Sequence, residues 1–432
     1  MVEFERKEYL HHMFEFEKCL QNHCVDELVP LMKRFLSSFG GSKISLLKNS
    51  GLTLYAPSLP NNLQSDKSVI IFIHELSRTG APVVAADTAK LLAKNGFFTV
   101  VVTMRRGPML NDLLDMGIPV LYDRELASVI NCSRLMNLSD NRFFADDLSE
   151  SFDYVFVITA VYYNLIRRFS NFRRRVFWWL HEGSHSYEIF GPQMPKNLSP
   201  SVRVLAGGVY ADNQLKEFGF KYDTRILNYG VADVFDSFSF QRKRDGSVVF
   251  LLPGSLSFRK GQHVLLEAIK KLPEAYRNKS KFIFIGDITS KYDTDGVKVK
   301  NDLLSARNIY SCIDYVPLVS REELFHIYQD IDVLLLASLD DPMPVVATEA
   351  LMMGKVVLCS NATGTSYYLN DGENGFIFAC GDSSALCSKI QLLIDHYQDL
   401  ESIGMRGRDV FLDHFEMGVF EKRILQVLGE KR

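Results

Sequence analysis

The stretch Val333-Leu334-Leu335-Leu336-Ala337-Ser338-Leu339-Asp340-Asp341-Pro342-Met343-Pro344-Val345-Val346-Ala347-Thr348-Glu349-Ala350 passes from a short, wholly apolar run through a polar loop into a segment of helical spacing. An apolar run of strand length that hands over to a helix is the repeating unit of a parallel sheet with crossover connections. The same grammar recurs on either side, at residues 248–252, 281–285 and 355–359. Beyond the polar, charged stretch 237–247 it recurs again, at residues 69–74, 99–103, 154–158, 176–180 and 202–205. The pattern predicts an α/β fold with two doubly wound domains in tandem. In such sheets ligands bind outside the carboxyl ends of the strands, so the loops after these runs are where chemistry is sought.

Ahead of the first strand, residues 8–39 carry Leu10, Met13 and Phe14, then Leu28, Leu31, Met32, Phe35 and Leu36, at helical spacing, before Gly40-Gly41. This predicts a helical N-terminal extension over residues 1–59. Two domains also fit the length of 432 residues, with 47% hydrophobic and 23% charged residues. Lys and Arg number 49 against 52 Asp and Glu, a net charge of −3, which gives no global argument for a nucleic-acid partner. The longest apolar runs fall far short of the roughly 18 residues that span a bilayer. The first residues interleave acids and bases where a secretory signal places an apolar run. Seven scattered cysteines, an odd number, read as reduced thiols. The expected location is cytoplasmic. Cys19 and Cys24, with His11, His12 and His23 nearby, form a metal-like set, but polar and small positions on amphipathic helices account for it more simply.

Two loops carry candidate chemistry. Pro344 suits the first position of a helix, where its missing N–H would have no partner. The N–H groups of Val345 and Val346 would then point back at the strand end and, with the helix dipole, favour an anion such as a phosphate. Glu349 falls in the second turn among apolar residues, where a carboxylate needs a hydrogen-bonding partner such as a ribose diol. Asp341 lies in the loop before the helix. A plainer reading, in which Asp340 or Asp341 is an N-cap and Glu349 a satisfied core acid, fits the spacing equally well. The second loop, Pro253-Gly254-Ser255-Leu256-Ser257-Phe258-Arg259-Lys260-Gly261-Gln262-His263, follows the first strand of the second domain and brings two cations, Arg259 and Lys260, to one strand end. They suit a diphosphate, or are simply solvated.

The order Gly254 to Lys260-Gly261, then Asp341 to Glu349, then Gly372-Glu373-Asn374-Gly375-Phe376, resembles the C-terminal half of the retaining, nucleotide-sugar-dependent glycosyltransferases of family four, which have the GT-B fold. In the N-terminal half, Glu75-Leu76-Ser77-Arg78-Thr79-Gly80-Ala81-Pro82 before an Ala-rich helix, and Leu227-Asn228-Tyr229-Gly230-Val231 near the domain hinge, resemble the same family. The resemblance runs from about Val69 to the C-terminus. It implies two Rossmann-like domains facing each other across a cleft: an acceptor domain over 60–232, a donor domain over 233–414, and a final helix, 415–432, that returns to the first.

The resemblance further implies transfer of a sugar from a nucleotide-diphosphate sugar to an acceptor hydroxyl with retention, in cell-surface polysaccharide or glycoconjugate synthesis. The acceptor would be a glycan, a lipid-linked group or a protein. Lys260 would contact the leaving diphosphate and Glu349 the donor ribose, while Asp341 would lie near the donor sugar. Gly254, Arg259, Met343, Val345, Val346 and Leu318 complete the implied donor side. His181, in Trp178-Trp179-Leu180-His181-Glu182-Gly183, matches a histidine that lines the family's cleft, with Glu182 and Gly80 beside it on the acceptor side. No cofactor is expected, and no metal, because no Asp-x-Asp motif follows a strand in the first domain. Three positions depart from the family pattern: Asp341 stands for glutamate, Ser255 for arginine and Pro344 for glycine. They motivate the alternative of a catalytically silent GT-B subunit that binds an acceptor protein or a partner transferase.

Arg167, Arg168, Arg173, Arg174 and Arg175, with Phe169 and Phe172 interleaved, form a basic cluster in the acceptor half. Two readings stay open: a peripheral contact with the inner face of the membrane or another anionic partner, and a solvated helix face before a buried strand.

Overall fold

The computed structural model describes residues 2–38, 41, 43–46, 52–124, 126–127, 144–169, 174–238, 247–288 and 292–429. The chain divides into two compact units. One comprises the chain to Gly207, Asp212–Leu227 and the end from Val427; the other comprises Gly208–Ala211 and Asn228–Gln426.

The strands are β1 (Lys43–Leu46), β2 (Leu52–Tyr55), β3 (Ser68–Ile73), β4 (Phe98–Thr103), β5 (Val120–Asp123), β6 (Tyr154–Ile158), β7 (Arg175–Leu180), β8 (Val202–Ala206) and β9 (Thr224–Ile226) in the first unit. In the second they are β10 (Val248–Pro253), β11 (Ser280–Ile285), β12 (Ile313–Val316), β13 (Val333–Leu336), β14 (Val356–Ser360) and β15 (Phe376–Phe378). The second sheet runs in the order β12-β11-β10-β13-β14-β15, all parallel. This is the doubly wound order of a complete Rossmann sheet, and its direction reverses between β10 and β13. Those two strands pair at Phe250 with Val333 and Leu251 with Leu334. The loops that leave them are the two singled out in the sequence.

In the first sheet, β5-β4-β3-β6-β7-β8-β9 repeats that parallel order, with its reversal between β3 and β6. Its central strands are buried along their whole length, as expected where helices cover both faces. β1 and β2 add an antiparallel ribbon beyond β5. The N-terminal region thus contributes two strands as well as its helices, Val2–Gln21 and Val25–Ser37.

The second of these helices follows from its sequence. Asp26 and Glu27 sit in its first turn, where carboxylates favour the positive end of the dipole, and Leu28, Leu31, Met32 and Phe35 repeat at helical spacing and are buried. With Phe16 and Leu20 they share one core with Phe98, Leu148 and Phe152 of the first unit. The imidazole of His23 meets the buried carboxylate of Asp147 at 2.6 Å. The end of the first helix and the helix Val25–Ser37 are therefore an integral layer of the first unit. Gly40 lies outside the described residues, as does much of the stretch 237–247.

Six strands escape the sequence pattern: β1, β2, β5, β9, β12 and β15. Each has only three or four residues, and β9 and β12 are mostly half-buried. No described helix is long and apolar enough to cross a membrane. None of the six described cysteines is in a disulfide.

Candidate functional site

In the second unit the site starts from Gly261. Its backbone is left-handed at φ +72°, and a Cβ there would lie 1.8 Å from the carbonyl oxygen of Ala337, at the end of β13. Only glycine allows this approach. It lays the loop after β10 against the loop after β13, and the Leu339 N–H donates to the Arg259 carbonyl at 2.8 Å. Lys260 is thereby held over Asp341: Nζ lies 2.5 Å from Oδ2, with 18% and 8% of the two side chains exposed. The Ser338 hydroxyl donates to the same carboxylate oxygen.

Asp341 is fixed through its backbone as well, since its N–H donates to Ala362 and its carbonyl accepts from Gly364. Arg259 turns to the backbone of this loop and donates to the Asp340 carbonyl at 2.5 Å. Two cations thus enter one strand end with different tasks: Lys260 meets a carboxylate, and Arg259 braces the loop.

The helix after β13 runs Val345–Met352, one residue later than expected. Pro344 is its N-cap rather than its first residue, because its ψ of 122° is extended. Val345 and Val346 therefore occupy the first two helical positions, whose amides have no carbonyl to bond within the helix. Glu349 is 2% exposed. Its Oε1 accepts from Arg321 Nε at 2.8 Å and its Oε2 from the Tyr328 hydroxyl at 3.2 Å. The sequence reading missed both partners. The neighbouring Thr348 hydroxyl lies 2.9 Å from that of Tyr229, and Asn228 accepts from Tyr368, so the segment named as a hinge is tied into this unit. Gly254 opens the loop at φ +139°, beside the stem of Lys260. Met343 is half-buried and accepts weakly from Thr365, and Leu318 is 79% exposed after β12.

In the first unit, His181 leaves β7 with its ring 4.7 Å from that of Trp179. Gly207, just after β8, makes room for it: a Cβ there would lie 2.4 Å from Nδ1. Burial pushes the imidazole down to about 3, so the ring is neutral near pH 7. Its Nε2 is buried without a hydrogen-bond partner.

Glu182 faces inward. One oxygen accepts from the Ala160 N–H at 2.6 Å and the other from the His181 N–H at 2.8 Å, so it staples the end of β6 to the end of β7. Burial pushes its carboxyl up to about 7, against three backbone N–H groups that favour the anion. Thr159, between these elements, has φ +91°, an uncommon value for a residue with a side chain, and its hydroxyl is buried without a partner. His74 Nδ1, at the end of β3, is also buried and unpartnered. Gly80 is the exposed first residue of the helix Gly80–Lys94. The carboxyl edge of this sheet therefore buries an imidazole, a carboxyl and a hydroxyl, with the Glu75–Arg105 ion pair in the loops beside them. Among the described residues, no group of three or more His, Cys, Asp or Glu side chains could hold a metal ion.

The family model described as glycosyl-transferase family 4 matches residues 65–198, and that for glycosyl transferases group 1 matches residues 233–410. Each falls on one of the two sheets, and together they take in well over half of the chain. The chain belongs to the GT-B glycosyltransferases of the family-four type. Among curated relatives, the lipopolysaccharide core biosynthesis glycosyltransferase LpsE of Rhizobium meliloti is 23% identical over 50% of this chain and 61% of its own length. The lipopolysaccharide 1,2-N-acetylglucosaminetransferase of Salmonella typhimurium is 24% identical over 45% of this chain and 52% of its own. The chain thus spans about half the length of these relatives. The fold is shared with HepE of Anabaena, whose structure was solved with UDP and glucose: TM-score 0.67 and 16% identity, covering 84% of this chain and 99% of that one.

The basic cluster of this family-four-type chain is held by the protein itself. Arg168 pairs with Asp146 at 2.5 Å, and Arg174 donates to the Glu150 carbonyl and lies 3.5 Å from Asp153. Arg175 donates to the Leu428 carbonyl, and Arg167 to that of Gln193. Arg173 and Phe172 lie outside the described residues.

Two predictions follow from this geometry in the glycosyltransferase. Gly261→Ala should lower stability by about 3 kcal/mol or more in chemical denaturation, combining left-handed strain with overlap on Ala337. Gly372→Ala, at φ +85° with nothing within 4 Å of the new Cβ, should cost only the strain, about 1 kcal/mol. Equal losses would contradict the close approach. For His181 the native ring stays neutral while the unfolded chain takes up a proton below its ordinary value of 6.5, so stability falls as pH drops from 6.5 towards 3. In urea titrations, His181→Gln should flatten this slope by up to about 1.4 kcal/mol per pH unit between pH 6.5 and 5. An unchanged slope would contradict the buried neutral ring.

Proposed function

We propose that the chain transfers a sugar from a nucleotide-diphosphate sugar to an acceptor hydroxyl with retention at the anomeric carbon, in the synthesis of a cell-surface polysaccharide or glycoconjugate. The observation that carries this reading is the arrangement at the turn of the second sheet. Lys260 is fixed at the start of one crossover, two helix amides open the next, and Glu349 lies one turn further along that helix. A cation, oriented N–H donors and a carboxylate in that order suit the diphosphate and ribose of one nucleotide. The two relatives, both lipopolysaccharide glycosyltransferases, and the UDP and glucose bound by HepE point the same way.

In this reaction the bond between the anomeric carbon and the diphosphate oxygen breaks with its electron pair, and the acceptor oxygen takes its place and gives up its proton to the departing diphosphate. The transition state separates an oxocarbenium-like sugar from a diphosphate gaining negative charge. Groups already fixed at the leaving diphosphate stabilise that charge without reorganising. We assign this role to Lys260 and to the amides of Val345 and Val346, with Arg259 bracing the loop, Gly254 and Met343 lining the donor side and Leu318 near the base. Asp341 positions Lys260 and lies towards the donor sugar. On the acceptor side we place Gly80, His181 and Glu182. A neutral imidazole can accept a hydrogen bond from a hydroxyl, and Glu182 holds the backbone that carries it.

No metal or cofactor enters this reading. The odd number of scattered cysteines supports a cytoplasmic place of work. The arginines at 167, 168, 174 and 175, each engaged within the first unit, lend no support to a membrane-facing patch.

Incubation with UDP-, GDP- and dTDP-sugars, with nucleotide release as the readout, tests the proposal. Release with at least one donor is expected. Lys260→Ala should lower kcat by about 10²- to 10³-fold, as loss of one fixed donor to a charged transition state does. Absence of both binding and release with every donor would favour the catalytically silent subunit.

A further inference from the structure

Glu349 carries a charge into a place that is 2% exposed, and such a group needs a counter-charge or strong hydrogen bonds. Among the described ion pairs, its cation comes from another element. Arg321 opens the helix Arg321–Asp330, the crossover between β12 and β13. That helix start is rigidly set by a capping box: the Ser320 hydroxyl accepts from the Glu323 N–H, and the Glu323 carboxylate accepts from the Ser320 N–H. From there Arg321 reaches Glu349 through Nε, at 2.8 Å, with its guanidinium also over the Phe325 ring.

The second carboxylate oxygen is met by the Tyr328 hydroxyl from the same helix, and Tyr328 is fully buried. Two directional contacts from one helix thus fix the plane of a carboxylate on the next. The two ends of the pair are unlike: only 3% of the Glu349 side chain is exposed, against 40% for Arg321. Arg321 is therefore the member of the pair that solvent and a ligand reach first.

We propose that Arg321 is a positioning residue for donor recognition: by neutralising and orienting Glu349 it sets that carboxylate to receive the ribose diol of the nucleotide. Discrimination between ribo- and 2′-deoxyribonucleotides then runs through Arg321. The inference rests on the reading of Glu349 as the ribose acceptor. Lysine at this position supplies the charge but not the directed Nε–H donor, so it restores the effect only in part.

Calorimetric titration of the full chain with UDP, GDP and their 2′-deoxy counterparts tests this. The wild-type chain should prefer the ribonucleotide by about tenfold or more, the factor set by one hydrogen bond to a charged group. In Arg321→Ala the ribonucleotide should weaken more than its deoxy counterpart, bringing the ratio towards one, and Arg321→Lys should fall between. Because Arg321→Ala takes the guanidinium away from a buried carboxylate, Arg321→Ala/Glu349→Gln serves as a second variant and should also give a ratio near one. A wild-type preference that persists in Arg321→Ala and is lost only with Glu349→Gln overturns the role of Arg321 and leaves the donor site standing, whereas a preference that persists in the double variant also overturns Glu349 as the ribose acceptor. Failure of the wild-type chain to bind any of the four nucleotides overturns the donor reading, and this inference with it.

Discussion

The second unit is organised around one close approach, that of the Gly261 backbone to the carbonyl of Ala337. Parallel strands β10 and β13 are neighbours, but pairing alone sets only the spacing of their backbones. Where the loops leave the sheet, a side chain at position 261 would force them apart. Without one, the loop after β10 lies on the loop after β13, and Lys260 reaches Asp341. The ion pair, the Arg259 brace on Asp340 and the entry to the helix Val345–Met352 all follow from that contact. A backbone-to-backbone constraint of this kind costs no side-chain entropy and holds a charged site more firmly than surface ion pairs do.

The two sheets share an order of strands and differ in the chemistry at their carboxyl edges. The second edge assembles opposite charges with little solvent, where each group is held by another. The first assembles an imidazole kept neutral by burial, a carboxyl pushed up to about 7 and a buried hydroxyl without a partner. Under the proposed function, a polyanionic leaving group suits the charged edge of the second sheet and an acceptor hydroxyl the edge of the first. The same fold serves both because the strands carry the architecture while the loops carry the chemistry.

The long buried strands are legible in sequence because a strand covered on both faces must be apolar throughout, as residues 154–158 and 248–252 are. β9 and β12 are not, since Thr224–Ile226 and Ile313–Val316 are short and half-buried. The Lys260 loop could be read from its glycines and cations after a strand. Its pairing with Asp341, 81 residues on, could not, although the shared position after neighbouring strands made it natural. Arg321 left no sequence signal as a partner of Glu349: Ser320-x-x-Glu323 announces a helix start, but nothing local tells which carboxylate lies 28 residues away. Gly207 escaped for a related reason, because the imidazole it accommodates arrives from another strand. The arginine cluster at 167–175 read as a patch because charge is additive along a sequence. In space its described members diverge to separate partners.

Under the proposed function, the turn of the second sheet holds a nucleotide diphosphate. A crystal structure of the full chain with UDP tests it most directly. The diphosphate should lie against Lys260 Nζ and the amides of Val345 and Val346, with the ribose hydroxyls on Glu349. A nucleotide seated elsewhere, with the Lys260–Asp341 pair and Glu349 untouched, would contradict it.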